Sequence, residues 1–151
     1  EVSCLGMTSE LEHLIANNNA YANPFGTEIA LMRTSEGGMS RMLMSKDTPG
    51  YGGETGRVRG QKGSMGGGKY DGISDISQVD IVKSPLPPGV EPCGHGGSHG
   101  NLCEEFISSI LEERTPLIHI AWSLNMTVAG IAAHQSALKD GEWMKVPQYS
   151  L

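Results

Sequence analysis

The chain has 151 residues, a formal charge of −6 and a mean hydropathy of −0.25. That length accommodates one domain with a real core. No apolar run approaches the roughly 20 residues of a membrane span, and the net negative charge disfavours nucleic acid as a partner.

The charge is unevenly spread. Arg41, Lys46, Arg57, Arg59, Lys62 and Lys69 stand against only Asp47 and Glu54 over the same stretch. Such a run faces an anionic ligand or, more commonly, solvent. Cys4, Cys93 and Cys103 make an odd, sparse set, which is no disulfide framework and fits a reducing compartment. The chain opens Glu1-Val2-Ser3-Cys4-Leu5 in what reads as the middle of a strand, without a basic-then-apolar signal segment. The expectation is a processed chain or a piece of a longer one.

In chain order, Val2 to Met7 reads as a short strand. Ser9-Glu10-Leu11-Glu12 has capping-box form and predicts a helical turn or two to Ala16, broken by Asn17-Asn18-Asn19. Thr27 to Arg33 and Met39 to Lys46 read as a hairpin about Ser35-Glu36-Gly37-Gly38, with Ile29, Leu31 and Arg33 alternating against Glu28, Ala30 and Met32. Short strands follow at Gly56 to Gly60 and near Met65, with another at Gln78 to Lys83 before Pro85-Leu86-Pro87-Pro88 imposes an extended linker.

Between these, Gly63 to Tyr70 spells GSMGGGKY, a nucleotide-binding P-loop in all but its last position. A P-loop needs a buried strand before it and a helix after it, whose N-terminus holds phosphate. Arg57-Val58-Arg59 is half polar, Asp71-Gly72-Ile73-Ser74-Asp75 is a poor first helical turn, and Tyr70 lacks the small hydroxyl that holds magnesium. The match is expected to be an accident of glycine.

The last third is more regular. Leu102, Cys103, Phe106, Ile107, Ile110 and Leu111 recur at helical spacing and predict one buried face, with Asn101-Leu102-Cys103-Glu104 as the cap and Pro116 bounding the end. A second helix over His119 to Lys139 is apolar almost all round and rich in alanine, with Gly141 as its C-terminal cap. Glu142 to Val146 can return as an edge strand. Strands first, then two helices, then a strand argue for a single α+β domain over residues 1–151, a mostly antiparallel open sheet with two helices packed on one face.

Gly94-His95-Gly96-Gly97-Ser98-His99-Gly100 is the segment with chemistry to offer. Glycines beside a histidine permit close approach of a ligand, and the segment leads into a helix N-terminus, where free N–H groups favour anionic or hydroxyl-rich ligands. A flexible loop whose histidines bond locally fits the spacing equally well. Cys93, His95, His99 and Cys103 would suit zinc in principle, but they lack the paired C-x-x-C signature, and Cys103 falls on the expected buried face, so no metal site is expected.

The segments NPFGTEIALMRTSEGG, GETGRVRGQKGSM, PCGHGGSHGNLCEEFISSILEERTPL and GIAAHQSALKDGEWMKVP together resemble the C-terminal domain of the Gfo/Idh/MocA oxidoreductases, the family of glucose–fructose oxidoreductase and inositol dehydrogenase. The resemblance covers nearly the whole chain. It implies a substrate-binding and oligomerisation domain of a sugar or polyol oxidoreductase, whose NAD or NADP is held by a separate N-terminal Rossmann domain. That domain's G-x-G-x-x-G fingerprint and the family's Glu-Lys-Pro motif have no counterpart here. No cofactor is therefore expected on this chain, its catalytic residues are unknown, and the chain alone is expected to be inactive. The implied partners are a sugar or polyol, the chain's own Rossmann domain and further copies of itself, without nucleic acid or membrane. The implied compartment is the cytoplasm, with the periplasm as the alternative. His95, His99, Gly96, Gly97 and Ser98 are the candidate substrate-binding residues, with Arg57 and Arg59 as weaker ones. The GHGG of Gly94 to Gly97 also resembles a motif of the family's NAD-dependent glycosidases, although Ser98-His99 stands where Met-Asp is expected. A stand-alone sugar-binding or structural module is the third reading. A sheet cut free of such partners should expose apolar residues, with Ile29, Leu31, Leu43 and neighbouring methionines as candidates.

Overall fold

The computed structural model describes residues 1–50, 52–73, 85–92 and 95–151. Among these residues six strands and two α-helices follow in order: β1 Val2–Thr8, β2 Phe25–Arg33, β3 Met39–Ser45, β4 Arg57–Arg59, β5 Gly63–Gly66, β6 Lys69–Gly72, α1 Ser98–Leu111 and α2 Ile120–Ala137. The class is α+β, with two antiparallel open sheets of order β1-β2-β3 and β4-β5-β6. The described residues group into two compact units, Glu1–Thr48 with Thr115–Leu151, and Pro49–Arg114. The strand expected at 78–83 lies outside the described residues.

In the first unit the hairpin forms as its alternation predicts, with Ile29 opposite Leu43 and Leu5 opposite Ile29. The alternation leaves open which face is covered. Val2, Cys4 and Ala30 join Ala132, Ala133 and Ala137 of α2 in the core, with Phe25, Met32, Met144 and Val146 packed around them. Small residues on both sides let the helix backbone approach the sheet closely. The bulkier face of the same strands is open: Leu5, Ile29 and Leu43 form one cross-strand row and are 59%, 45% and 64% exposed.

β1 is an edge strand, and at Val2 its outward backbone groups are satisfied by the C-terminal segment. Val2 N–H donates to Met144 at 2.9 Å and Met144 N–H returns a bond of 2.8 Å. The expected edge strand over 142–146 is reduced to that one bridge, because the Ser136 hydroxyl comes between Cys4 and Glu142, the next pair in register. One pleat further on, Cys4 N–H donates to Ser136 Oγ at 2.9 Å, and the same hydroxyl donates to the Glu142 carbonyl at 2.6 Å. Ser136 is fully buried.

At the far end of the hairpin, Asp47 Oδ1 accepts from Thr27 Oγ1 at 2.5 Å and from Ser45 Oγ at 3.1 Å. The Thr27 hydroxyl is the largest influence holding the Asp47 carboxyl below its ordinary range; partial desolvation opposes it and Ser45 adds to it.

Three local expectations are corrected. Instead of α-helical turns from Ser9 to Ala16, two 3-10 turns form at Glu12–Leu14 and Ala16–Asn18, with Ile15 extended between them. Asparagine side chains compete for the backbone: Asn18 donates to the Glu12 carbonyl and Asn19 to those of Ile15 and Asn23. The α1 helix begins at Ser98, so Asn101 lies inside it and Gly97 stands at the cap. Its apolar stripe is not buried: Leu102, Phe106, Ile107 and Ile110 are exposed, and the residue it buries is Ser109.

In the second unit the near P-loop is a hairpin. Gly66 pairs with Lys69 across Gly67 and Gly68, whose φ values of 58° and 71° make a two-residue turn. Left-handed backbone at both turn positions matches the twist of antiparallel strands, and glycine adopts it without steric cost. GGGK is thus turn chemistry. It supplies β6, a strand the sequence reading lacks. Tyr70, where a P-loop needs a small hydroxyl, lays its ring against Gly63.

Two measurements check this account. Ser136→Ala strands the buried Cys4 N–H and removes the partly buried partner of the Glu142 carbonyl, so urea unfolding should show a loss of about 1–3 kcal/mol. Because the Asp47 carboxyl titrates lower in the folded chain than in the unfolded one, its contribution is complete above the ordinary carboxylate pKa of about 4 and disappears as pH falls through its depressed value. Asp47→Asn should therefore lower stability at neutral pH and flatten its decline below about pH 4.

Candidate functional site

The candidate site is built on three consecutive left-handed residues. His95, Gly96 and Gly97 have φ of 46°, 67° and 85°. Glycine takes that conformation freely, whereas for His95 it costs about 1–2 kcal/mol. The turn swings the chain into α1, whose first N–H groups receive no side-chain cap from Gly97. An uncapped helix N-terminus presents partial positive charge to whatever lies beyond it.

The two imidazoles converge. Their ring centroids lie 5.6 Å apart with the planes tilted by 59°, and both residues are exposed. Ser98 is half-buried in the first turn of the helix and Gly97 is buried. Two of the glycines are occupied by the chain itself. A Cβ on Gly97 would meet the Leu86 side chain at 2.6 Å, and one on Gly100 would run into Val90. The proline-rich segment thus packs onto the start of α1. The expected open space at these two glycines is filled by Leu86 and Val90, leaving the exposed rings of His95 and His99 as the accessible surface.

The opposite end of α1 is clamped. Arg114 donates to both oxygens of Glu105, at 2.7 and 2.9 Å, and through Nε to Glu112 at 2.6 Å. Glu105 first, and then Glu112, hold its guanidinium still more firmly protonated than usual.

Arg57 and Arg59 lie on one face of β4, both exposed. Among the described residues, no hydrogen bond, ion pair or ring contact joins them to the histidines. Gly94 and Cys93 lie outside the described residues. Cys103, expected on a buried helix face, is an exposed free thiol. Among the described residues no cluster of three or more histidine, cysteine or carboxylate side chains could hold a metal ion.

A further polar pair escapes sequence reasoning. His134 Nδ1 lies 2.7 Å from Glu28 Oε1, and the His134 ring meets Phe25 edge-on with centroids 6.1 Å apart. Both side chains are half-buried. Their separation of 106 positions leaves no local signature; only the helical and strand phases, once docked, bring them together. The pair ties α2 to β2. Burial, and then the charge of Glu28, push the nearby Cys4 thiol up, which disfavours the reactive thiolate.

No protein-family model, curated protein or solved structure matches this chain. Among the described residues no helix is long and apolar enough to cross a membrane.

The packing of Leu86 on Gly97 generates a prediction. Gly97→Ala places a Cβ both on left-handed backbone, at about 1–2 kcal/mol, and into the Leu86 side chain. Hydrogen exchange should accelerate over residues 85–111 and stay unchanged in β1–β3.

Proposed function

We propose that this chain is the substrate-binding and oligomerisation domain of an NAD(P)-dependent sugar or polyol oxidoreductase of the Gfo/Idh/MocA type, with His95 and His99 lining the sugar pocket. The observation that carries this reading is the left-handed backbone at His95. A β-carbon held in a sparsely populated conformation, with its ring exposed beside a second imidazole at an uncapped helix start, is a pattern of sites rather than of plain loops. Neutral imidazole accepts a proton from a sugar hydroxyl or donates a hydrogen bond to it near neutral pH. His95 is given the binding or assisting role, and His99, at the second position of the helix, orients the loop.

Among the described residues, the glycine-rich connection that resembles a phosphate loop is the β5–β6 hairpin, whose turn runs directly into strand β6 where a phosphate loop needs a helix. The reading therefore assigns the nicotinamide cofactor to a separate domain. The exposed row Leu5, Ile29 and Leu43 supports a sheet face that another domain or a second copy covers. The cytoplasm is the compartment proposed, in keeping with free Cys4 and Cys103.

Replacing His95 by Ala in the complete enzyme should lower kcat/KM by roughly tenfold to ten-thousandfold, the range from a lost contact to a lost general base. Cofactor affinity should stay at the parent value. Parent kinetics in that variant would make the histidine turn structural and remove the basis of the assignment.

A further inference from the structure

The hairpin that imitates a P-loop has an asymmetry between its two faces. Register places Arg57, Gly66 and Lys69 in one cross-strand row, and Arg59, Ser64 and Asp71 in the next row on the same face. The opposite face carries Val58, Met65 and Tyr70. On the first face the middle strand contributes only Gly66 and Ser64, both half-buried, while the flanking strands contribute three long cationic side chains and Asp71, all exposed. The result is a shallow trough with a floor of one glycine and one hydroxyl, walled by three cations and one carboxylate.

Dimensions follow from sheet geometry. Adjacent strands lie about 4.8 Å apart, so Arg57 and Lys69 face each other across about 10 Å, and Arg59 stands about 7 Å along the strand from Arg57. Two guanidinium groups and an ammonium can reach one group seated over Gly66. The Arg57 stem already leans that way, with its Cγ 3.3 Å from where a Gly66 Cβ would stand. Among the described residues, Arg57, Arg59 and Lys69 form no ion pair. Three like charges on so small a face repel one another, and an anion relieves that repulsion.

We propose that this trough binds the oxyanion, phosphate or carboxylate, of a small hydroxylated ligand, with Arg57, Arg59 and Lys69 on the anion and Ser64 and Asp71 on hydroxyls. Resting on the sugar reading above, this makes the substrate class an acidic sugar rather than a neutral one. Charge also argues for a small ligand. The patch spans three strands, Asp71 closes one corner, and the chain as a whole carries −6, which disfavours extended polyanions.

The test is calorimetric titration of the 151-residue chain at low ionic strength with glucose 6-phosphate, glucuronate, inorganic phosphate and glucose. Glucose 6-phosphate or glucuronate should bind saturably and at least about tenfold more tightly than glucose, and Arg57→Gln or Lys69→Gln should weaken that binding by about tenfold, the scale of one charge-assisted hydrogen bond. Lys46→Gln, which removes a cation outside the trough, should bind as the parent does. Equal binding of inorganic phosphate and glucose 6-phosphate, still lost in Arg57→Gln, upholds the anion trough while removing the sugar. Glucose binding as well as glucose 6-phosphate, unaltered binding in both Gln variants, or no saturable binding of any of the four overturns the proposal. Arg57-dependent capture of oligouridylate or phosphatidylserine vesicles in preference to the acidic sugars overturns it as well.

Discussion

Ser136 is the point on which the first unit turns. One hydroxyl, with no exposed surface, accepts from the β1 backbone and donates to the chain that leaves α2. It joins β1 to α2 across 132 positions, and α2 to the segment that follows it. A buried polar group of this kind contributes modestly when satisfied and costs much more when it is not. The geometry around it is therefore narrow: β1 must lie in the register that presents Cys4, and α2 must be rotated so that Ala132, Ala133 and Ala137 face the sheet.

That rotation explains the composition of the core. Alanine on the helix and Val2, Cys4 and Ala30 on the strands allow the backbones to come close, so contact is dense although the side chains are small. The larger apolar residues are consequently displaced to other surfaces. Leu5, Ile29 and Leu43 line the far face of the sheet, and Trp122, Met126 and Ile131 stand exposed on α2. An exposed apolar row of this kind is a surface that a partner commonly covers. It is what the proposed function would have a partner domain and a second copy cover.

In the second unit glycine serves three different physical ends. Gly67 and Gly68 supply left-handed backbone for a hairpin turn, Gly97 and Gly100 yield space to Leu86 and Val90, and Gly66 leaves a bare floor between cations. Composition alone reads all of these as loop. The two chemical surfaces of the unit differ accordingly: paired imidazoles on strained backbone, and a cationic trough on a regular sheet. Within the functional proposal the first meets a reacting hydroxyl and the second meets an anionic substituent.

Alternation and turn chemistry in the sequence were sufficient for the β2–β3 hairpin, because period-two patterning and Gly37-Gly38 act within a few residues. Alanine content and the Gly141 stop were likewise enough to locate α2, and the failing context of GSMGGGKY excluded a phosphate loop. Other features depend on residues that meet only after folding. Whether Ile29 or Ala30 is the covered neighbour is decided by which face α2 approaches, since both faces alternate equally well. Helical spacing in α1 marks a stripe but cannot supply the layer that would bury it. The start of α1 at Ser98 rather than Asn101 follows from the left-handed backbone of His95, Gly96 and Gly97, which ends immediately before it. The Glu28–His134 pair, the Ser136 bridge and the row of Arg57, Gly66 and Lys69 are products of docking and register, which hydrogen bonding across distant segments sets and local propensity does not encode.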